Sequence, residues 1–393
     1  MSHDDLLIDG SAPGPRDRTR ESAYRLIRET PGITRAQITQ RLGIVPTTAN
    51  DVVRRLIEAG RVVERRGSPD TGGHRRGRPS AGLEATVIPG YVGGIDFGHQ
   101  HIAVGIGDTR GVELAERHVL VDVDAAVEHA MDIATALLRD LAAETGVDRF
   151  EAVAAGVPQP INPATGHVES HRIRSGWEGL VPEKLLETRL SMPVRVENDA
   201  SLGALAEMRT GIGRGVANFV FIKVSTGVGA SMVLDGKLFR GSHGLAGEIG
   251  HIPVADHSDR CRCGSRGCLE TVVSIPAVFD HLAKMGITPG LGDDFGKLLT
   301  DPVFDRILHD SGRILGDVLA YMSNMLAPSI IVLGGWLGSM GGEPIIRGAS
   351  EAIERSTHPG IARHLRLRPA AHGLHAEVRG AVQLAADAVP APS

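Results

Sequence analysis

All three cysteines of this 393-residue chain, Cys261, Cys263 and Cys268, fall within eight residues of one another, and His251 stands ten positions ahead of the first. The segment reads GEIGHIPVADHSDRCRCGSRGCLE over Gly247–Glu270, and it constrains the fold more than any other stretch. Three thiolates and an imidazole complete a tetrahedral set of soft and borderline donors for Zn2+, provided that tight turns bring them together. Gly264 and Gly267 supply those turns. Two plainer readings compete. Free cysteines are often small core hydrophobes, but this segment is polar and glycine-rich. A disulfide would leave one thiol over, and nothing in the sequence suggests export. The expectation is a structural zinc site made by His251, Cys261, Cys263 and Cys268.

The chain is long enough for two or three domains with buried cores. Its formal net charge of −5 argues for no polyanionic partner, yet the charges are unevenly spread. Arg16 to Ser80 carries 15 arginines, no lysine and 7 acids, a surplus of eight positive charges. With three aspartates ahead of it, residues 81–393 are left holding ten negative charges. A basic head on an acidic body is the asymmetry of a nucleic-acid-binding module fused to something else. Residues 1–15 are acidic and rich in Pro and Gly, without the basic start and apolar run of a secretory signal. No apolar stretch reaches membrane-spanning length. The expected setting is the cytoplasm, with association to the nucleoid through DNA and none with a membrane.

In the head, Ala23, Leu26 and Ile27 recur at helical spacing before Pro31 and Gly32. Thr34 is placed to cap a second helix, RAQITQRL, which Gly43 ends. A short turn through Ile44, Val45 and Pro46 leads to a third helix, for which Thr47 or Thr48 is the expected cap, with Ala49, Val52, Val53, Leu56 and Ile57 on one face. This is a helix-turn-helix pattern, and a small helical bundle is the plainer alternative. The third helix would offer Thr47, Thr48, Asn50 and Arg54 to phosphates and base edges, with Asp51 on the same face. Arg61–Arg66 alternates like a strand, and Ala85–Ile88 is its expected partner across a long wing. Within the wing, Arg75, Arg76 and Arg78 flank Gly77 ahead of Pro79, a shape suited to a narrow minor groove or simply to a solvated linker.

The body reads as strands at Tyr91–Gly98 and His101–Asp108 joined as a hairpin with Asp96 near its tip. A helix over Ala125–Gly146 and a strand at Ala152–Val157 follow. Then come a helix at Leu180–Leu190, a short strand at Val194–Glu197 and a helix at Ala200–Arg209. The layout repeats with strands at Asn218–Val224 and Ala230–Leu234, the cysteine segment, helices between Ile275 and Leu326, a strand at Ile330–Gly334 and a helix from His375 to Ala388. Two α/β units that each open with a hairpin imply two similar lobes with a cleft between them.

These residues resemble the ROK family, named for repressors, open reading frames and sugar kinases, over essentially the whole chain. The most specific match is the histidine and three cysteines at the spacing of His251, Cys261, Cys263 and Cys268. The resemblance implies an actin-like, ribonuclease-H-like pair of lobes with a sugar in the cleft. It makes Glu248 and Glu270 partners of sugar hydroxyls, and the Asn198-Asp199 pair the place of the kinase base, although Asn and Asp also favour a plain helix cap. A helix-turn-helix in front marks the family's regulator branch. The family's first phosphate loop reads roughly DxGGT, and here Asp96 and Gly98 are kept while His99 and Gln100 replace the second glycine and the threonine. Gly227 and Gly229 in the second loop and the Gly334-Gly335 turn are kept in outline, though glycines serve steric needs too. Trp177 follows as either core or a platform for a pyranose face, and Arg172 and Arg174 raise a phosphorylated or acidic sugar.

The expectation is therefore multidomain: an N-terminal all-α, winged helix-turn-helix over residues 16–85, then an α/β actin-like ROK domain over 88–393. Its first lobe covers about 88–197 plus the C-terminal helix, and its second about 198–374. The expected function is a transcriptional regulator, in the first instance a repressor, of carbohydrate metabolism. It would act as a homodimer or homotetramer on operator DNA and answer a sugar or sugar derivative held by Asn198, Asp199, Glu248, His251 and Glu270. No catalysis is expected. Asp199 would be a vestigial general base and Asp96, Gly98, Gly227, Gly229, Gly334 and Gly335 vestigial nucleotide loops. The rival is an ATP-dependent kinase of a hexose or N-acetylhexosamine that carries a DNA-binding head.

Overall fold

A computed structural model describes residues 15–65, 81–86, 88–169, 176–287 and 298–389. They form two compact units, one ending at Pro89 and the other spanning Gly90–Val389. Arg75, Arg76 and Arg78 of the expected wing, and Arg172 and Arg174, lie outside the described residues. No described helix is long and apolar enough to cross a membrane.

The first unit packs α1 (Pro15–Glu29), α2 (Arg35–Leu42) and α3 (Pro46–Glu58) on the hairpin of β1 (Val62–Arg65) and β2 (Gly82–Ala85). Ile27, Ile38, Val53, Leu56, Val62 and Leu83 make its core. Thr34 caps α2 as expected, in a reciprocal capping box with Gln37. The start of α3 differs from expectation. Val45 is the N-cap and Pro46 the first helical residue, with no side-chain cap. Proline suits that position because its fixed φ matches the helix and its missing N–H would find no partner there, so neither Thr47 nor Thr48 serves as the cap. The partner strand also begins three residues earlier than expected, at Gly82. Leu83 must reach the core, and its backbone bonds to Ile33 on one side while pairing opposite Glu64 on the other.

The second unit holds two five-stranded sheets. The first contains β3 (Tyr91–Phe97), β4 (His101–Asp108), β5 (Glu113–Leu120), β6 (Phe150–Val157) and β7 (Val194–Asn198). Helix α4 (Val127–Thr145) precedes β6, and α5 (Pro182–Leu190) precedes β7. After α6 (Asp199–Thr210), the second contains β8 (Phe219–Val224), β9 (Val228–Leu234), β10 (Lys237–Phe239), β11 (Ile330–Gly334) and β12 (Arg366–Pro369). Their orders are β5-β4-β3-β6-β7 and β10-β9-β8-β11-β12. Counted within each sheet both are 3-2-1-4-5, an antiparallel hairpin continued by parallel strands. The duplication expected from the two hairpins is thus a repeat of whole topology.

Helices α7 (Glu270–Val273), α8 (Ile275–Lys284), α9 (Pro302–Leu326), α10 (Gly335–Met340), α11 (Gly342–Ser356) and α12 (Pro359–Ala362) belong to the second lobe's half of the chain. The last helix, α13 (Ala376–Ala388), packs against β3, β4, β6 and α6, so it returns to the first sheet. Glycines in β3 serve this return. A Cβ on Gly94 would stand 2.7 Å from the backbone nitrogen of Val382, so only glycine lets the helix lie this close.

Candidate functional site

The metal-donor segment is held at the cleft by β9. A Cβ on Gly247 would stand 1.9 Å from the Ala230 carbonyl oxygen, so the GEIGH turn rests directly on that strand. Glu248 and His251 thereby face the opening. The left-handed turns at Gly264 and Gly267, with φ of +87° and +65°, fold the cysteines back beneath His251. The donor atoms of His251, Cys261, Cys263 and Cys268 all lie within 4.8 Å of one another. A tetrahedral zinc-sized ion with thiolate and imidazole ligands sets sulfurs about 3.8 Å apart and sulfur and nitrogen about 3.6 Å apart. The Cys263 and Cys268 Sγ atoms are 3.7 Å apart, and Cys261 Sγ is 3.6 Å from His251 Nδ1. The donor set fits such an ion, and all three cysteines are free of disulfides. Burial pushes the Cys261 thiol up to about 12 and raises Cys268 as well, while it lowers His251 and keeps the imidazole neutral, the form that ligates. A coordinating cation reverses the thiol shifts, because it binds thiolate.

The expected sugar partners converge on one open cleft between the two sheets, lined by Asn198, Asp199, Glu248, His251 and Glu270 among others. Asn198 ends β7 and caps α6, its Oδ1 accepting from Ser201 N at 3.2 Å while its amide donates to Asp199 Oδ1 at 3.1 Å. Asp199 is not the cap. Its Oδ1 accepts from Ala200 N at 2.7 Å, and its Oδ2 meets the ammonium of Lys223 at 2.8 Å. Glu270 opens α7, its Oε2 accepting from Val228 N at 3.1 Å. Burial, with Asp199 and Glu270 nearby, pushes the Glu248 carboxyl up to about 7.

Lys223 is the residue that the sequence reading missed. It also lies 3.3 Å from Glu377 Oε1 on α13. Burial alone would lower its pKa, but Asp199, Glu377 and Asp96 outweigh that and hold the ammonium well above the usual lysine range. The same lysine, with His101, holds Asp96 below its ordinary value against the pull of burial. Glu377 goes the other way, raised by burial and by its like-charged neighbours. The signal was visible, since Lys223 is one of five lysines in the chain and interrupts the apolar run FVFIKV.

The two glycine turns differ. In the first, His101 bonds Asp96 Oδ2 at 3.0 Å and covers Gly98, where a Cβ would stand 2.1 Å from the imidazole. His99 Nδ1 lies 2.7 Å from Asp124 Oδ2. Gly227 in the second turn packs against Arg262 and Glu270. Gly229 lies in β9, while Gly334 abuts the ring of Phe221 and Gly335 the backbone of Val224, steric reasons within the fold for those two glycines. Trp177 is fully buried edge-to-face on Phe97, at 5.7 Å between centroids, so it is core and no platform for a sugar.

On α3 of the first unit, Thr47, Asn50 and Arg54 are exposed and Thr48 is half-buried. Arg54 is engaged along its own helix by Asp51 and by Glu58, the latter at 2.7 Å. Such exposed pairs are worth about 0.3–0.5 kcal/mol and yield readily to a phosphate.

A three-helix unit with an antiparallel hairpin, and a two-lobed body of actin-like kinase fold with a His/Cys₃ cluster beside its cleft, define a class. Residues 16–63 match the model of the winged helix-turn-helix DNA-binding family. Residues 92–388 match the ROK family, and the chain belongs to it. It is 32% identical to a glucokinase of Halalkalibacterium halodurans over 58% of this chain and 74% of that protein. It is 28% identical to the N-acetylglucosamine repressor of Escherichia coli O157:H7, covering 80% of this chain and 79% of the repressor. A solved ROK family transcriptional regulator, described as a homologue of the E. coli MLC protein, superposes with a TM-score of 0.72 at 25% identity, covering 94% of this chain and 96% of its own.

Proposed function

We propose that this protein is a DNA-binding transcriptional regulator of carbohydrate metabolism, a repressor in its simplest form, that answers a sugar in its cleft. One observation carries the reading: the likeness to the solved ROK regulator runs through head and body over 94% of the chain, whereas that to a solved ROK family glucokinase of Streptomyces griseus covers 75%. Residues 16–85 read operator DNA through Thr47, Thr48, Asn50 and Arg54, with Arg75, Arg76 and Arg78 as minor-groove contacts. Residues 88–393 form the effector domain, its lobes divided near Asn198. Two recognition helices reading paired half-sites call for a symmetric homodimer or a homotetramer built from one. This work is done in the cytoplasm, at the chromosome.

Asn198, Asp199, Glu248, His251 and Glu270 hold the sugar by its hydroxyls. Zn2+ is the metal of the His/Cys₃ cluster, and when bound it supplies a fixed cross-link that orients the segment. His251 places Nδ1 toward Cys261 and Nε2 toward Glu248, 3.8 Å away, so it serves metal and cleft together. The protein is not a working kinase on this reading, because imidazole side chains occupy the first turn and Lys223 occupies the carboxylate of Asp199.

The test is a mobility shift on a DNA fragment that the protein selects from a random pool, titrated with glucose, xylose, N-acetylglucosamine and their phosphate esters. One of these is expected to change DNA affinity roughly tenfold, the usual size of allosteric coupling. Silence across the panel, or sugar-dependent ADP release abolished by Asp199→Asn, overturns the proposal.

A further inference from the structure

Arg262 lies between two of the metal-ligating cysteines, yet its guanidinium points away from them and across the cleft. Its Nε donates to Glu270 Oε1 at 3.0 Å, and one terminal nitrogen reaches Glu270 Oε2 at 3.4 Å. That same terminal nitrogen donates to His99 Nε2 at 3.1 Å, in the turn between β3 and β4 of the other lobe. His99 is fixed in turn, since its Nδ1 lies 2.7 Å from the acceptor-only carboxylate of Asp124. The proton therefore sits on Nδ1 and leaves the Nε2 lone pair for the arginine. The result is a bonded path from Asp124 through His99 and Arg262 to Glu270, joining the lobes.

Glu270 has little acceptor capacity to spare. Oε2 already takes the Val228 N–H, and both oxygens face Arg262. A sugar hydroxyl that uses Glu270 must compete with the guanidinium. Competition is feasible, because 36% of the arginine side chain is open to solvent while only 10% of Glu270 is.

We infer that Arg262 is a cross-cleft latch, gripping His99 of one lobe and Glu270 of the other with one side chain, so that an effector taking Glu270 releases the lobes from each other. The inference rests on the regulatory reading and adds its coupling step. A ligand moves a conformational equilibrium only by its differential affinity for the two states, and competition for Glu270 supplies that difference. The flanking cysteines give the latch a fixed pivot when metal is bound.

The experiment compares wild type with Arg262→Lys and His99→Phe in the full chain with its metal. Lysine keeps the positive charge but lacks the planar fork that reaches Glu270 through Nε and His99 through a separate terminal nitrogen, and phenylalanine keeps the ring but offers no acceptor. Hydrogen exchange on the free proteins is expected to quicken at the amides of residues 98–101 in both variants. In the mobility shift with the sugar panel above, the wild-type response of roughly tenfold is expected to shrink below about twofold in both. Zinc content and a cooperative thermal unfolding transition verify that each variant is folded, and His99→Phe lies outside the metal loop. Unchanged exchange, or a full sugar response in either variant, overturns the latch. A wild type that ignores every sugar overturns the regulatory reading and the latch with it, and that arm uses no variant at all.

Discussion

The two lobes place a hairpin turn at the same topological position, between the first and second strands of a 3-2-1-4-5 sheet, and fill it differently. In the first lobe the turn carries its own plugs, His99 and His101, tied to Asp124 and Asp96. In the second the turn stays lean, with Ser225 N bonded to Gly227 O at 2.9 Å, and side chains from elsewhere, Arg262 and Glu270, come to it. A duplicated fold thus keeps its strands and diverges at its turns. Strands must satisfy backbone bonds and core volume, whereas turns answer only to what approaches them.

The largest effect on this contrast is expected from the metal loop. Cys263→Ser should take bound zinc from about one equivalent per chain to none, since three donors no longer close a tetrahedron. With the pivot gone the second turn loses Arg262, and the sugar response should vanish while the separate DNA-binding unit still shifts DNA. Metal analysis and the mobility shift read both outcomes. Retained zinc with a full response means the segment has been misread.

Next comes Lys223→Met, which removes the ammonium shared by Asp96 of the first lobe with Asp199 and Glu377. Stranding buried carboxylates costs about 3–5 kcal/mol. The sign with pH is definite. Asp96 is held below its ordinary value in the folded protein, so in wild type its contribution is present above the unfolded pKa and is lost as pH falls through the folded one. Without the lysine the stranded carboxylates favour protonation instead, so the deficit of the variant should shrink as pH is lowered into the carboxylate range. Urea melts across pH that show a constant deficit would count against the shared-lysine account.

The smallest effects compare the turns directly. At Gly98→Ala the new methyl meets the ring of His101 at 2.1 Å, and moving that ring leaves Asp96 short of a buried partner, a cost of about 1–3 kcal/mol. At Gly227→Ala the methyl meets the tip of Arg262 at 2.9 Å and Glu270 Oε2 at 3.0 Å, and the more exposed guanidinium gives way at the expense of one of its hydrogen bonds, so the cost should stay at about 1 kcal/mol or less. Equal melting temperatures for the two variants would erase the distinction between a self-plugged and a borrowed turn.

What the sequence made legible was local. Thr34 three residues before Gln37, the cysteine spacing and the apolar run of β11 each carry their structural reason within a few neighbours, and each lies where it was expected. The elements overlooked were those whose reason lies elsewhere. Strand β5 is an edge with Leu114 and Leu120 exposed, so it lacks a clean alternation. Helix α11 owes its place to α9, since its own Gly348 lets it sit against the His309 carbonyl of α9. The cap of α3 was misread because two threonines stood beside a proline, and the proline prevailed. Arg262 and His99 are 163 positions apart, and no local pattern pairs them.

The return of α13 to the first sheet has a consequence for how the molecule is made. Strands β3 and β6 leave the ribosome early, but the helix that covers Val92, Ala152 and Ala154 is synthesised roughly 220 residues after β6. Glu377, a partner of Lys223, travels on that helix. Among the described residues, the core of the first unit is complete by Leu83. Because domains fold as units in order of synthesis, the nascent chain owns a finished DNA-binding module long before the lobes that would govern it can close their core.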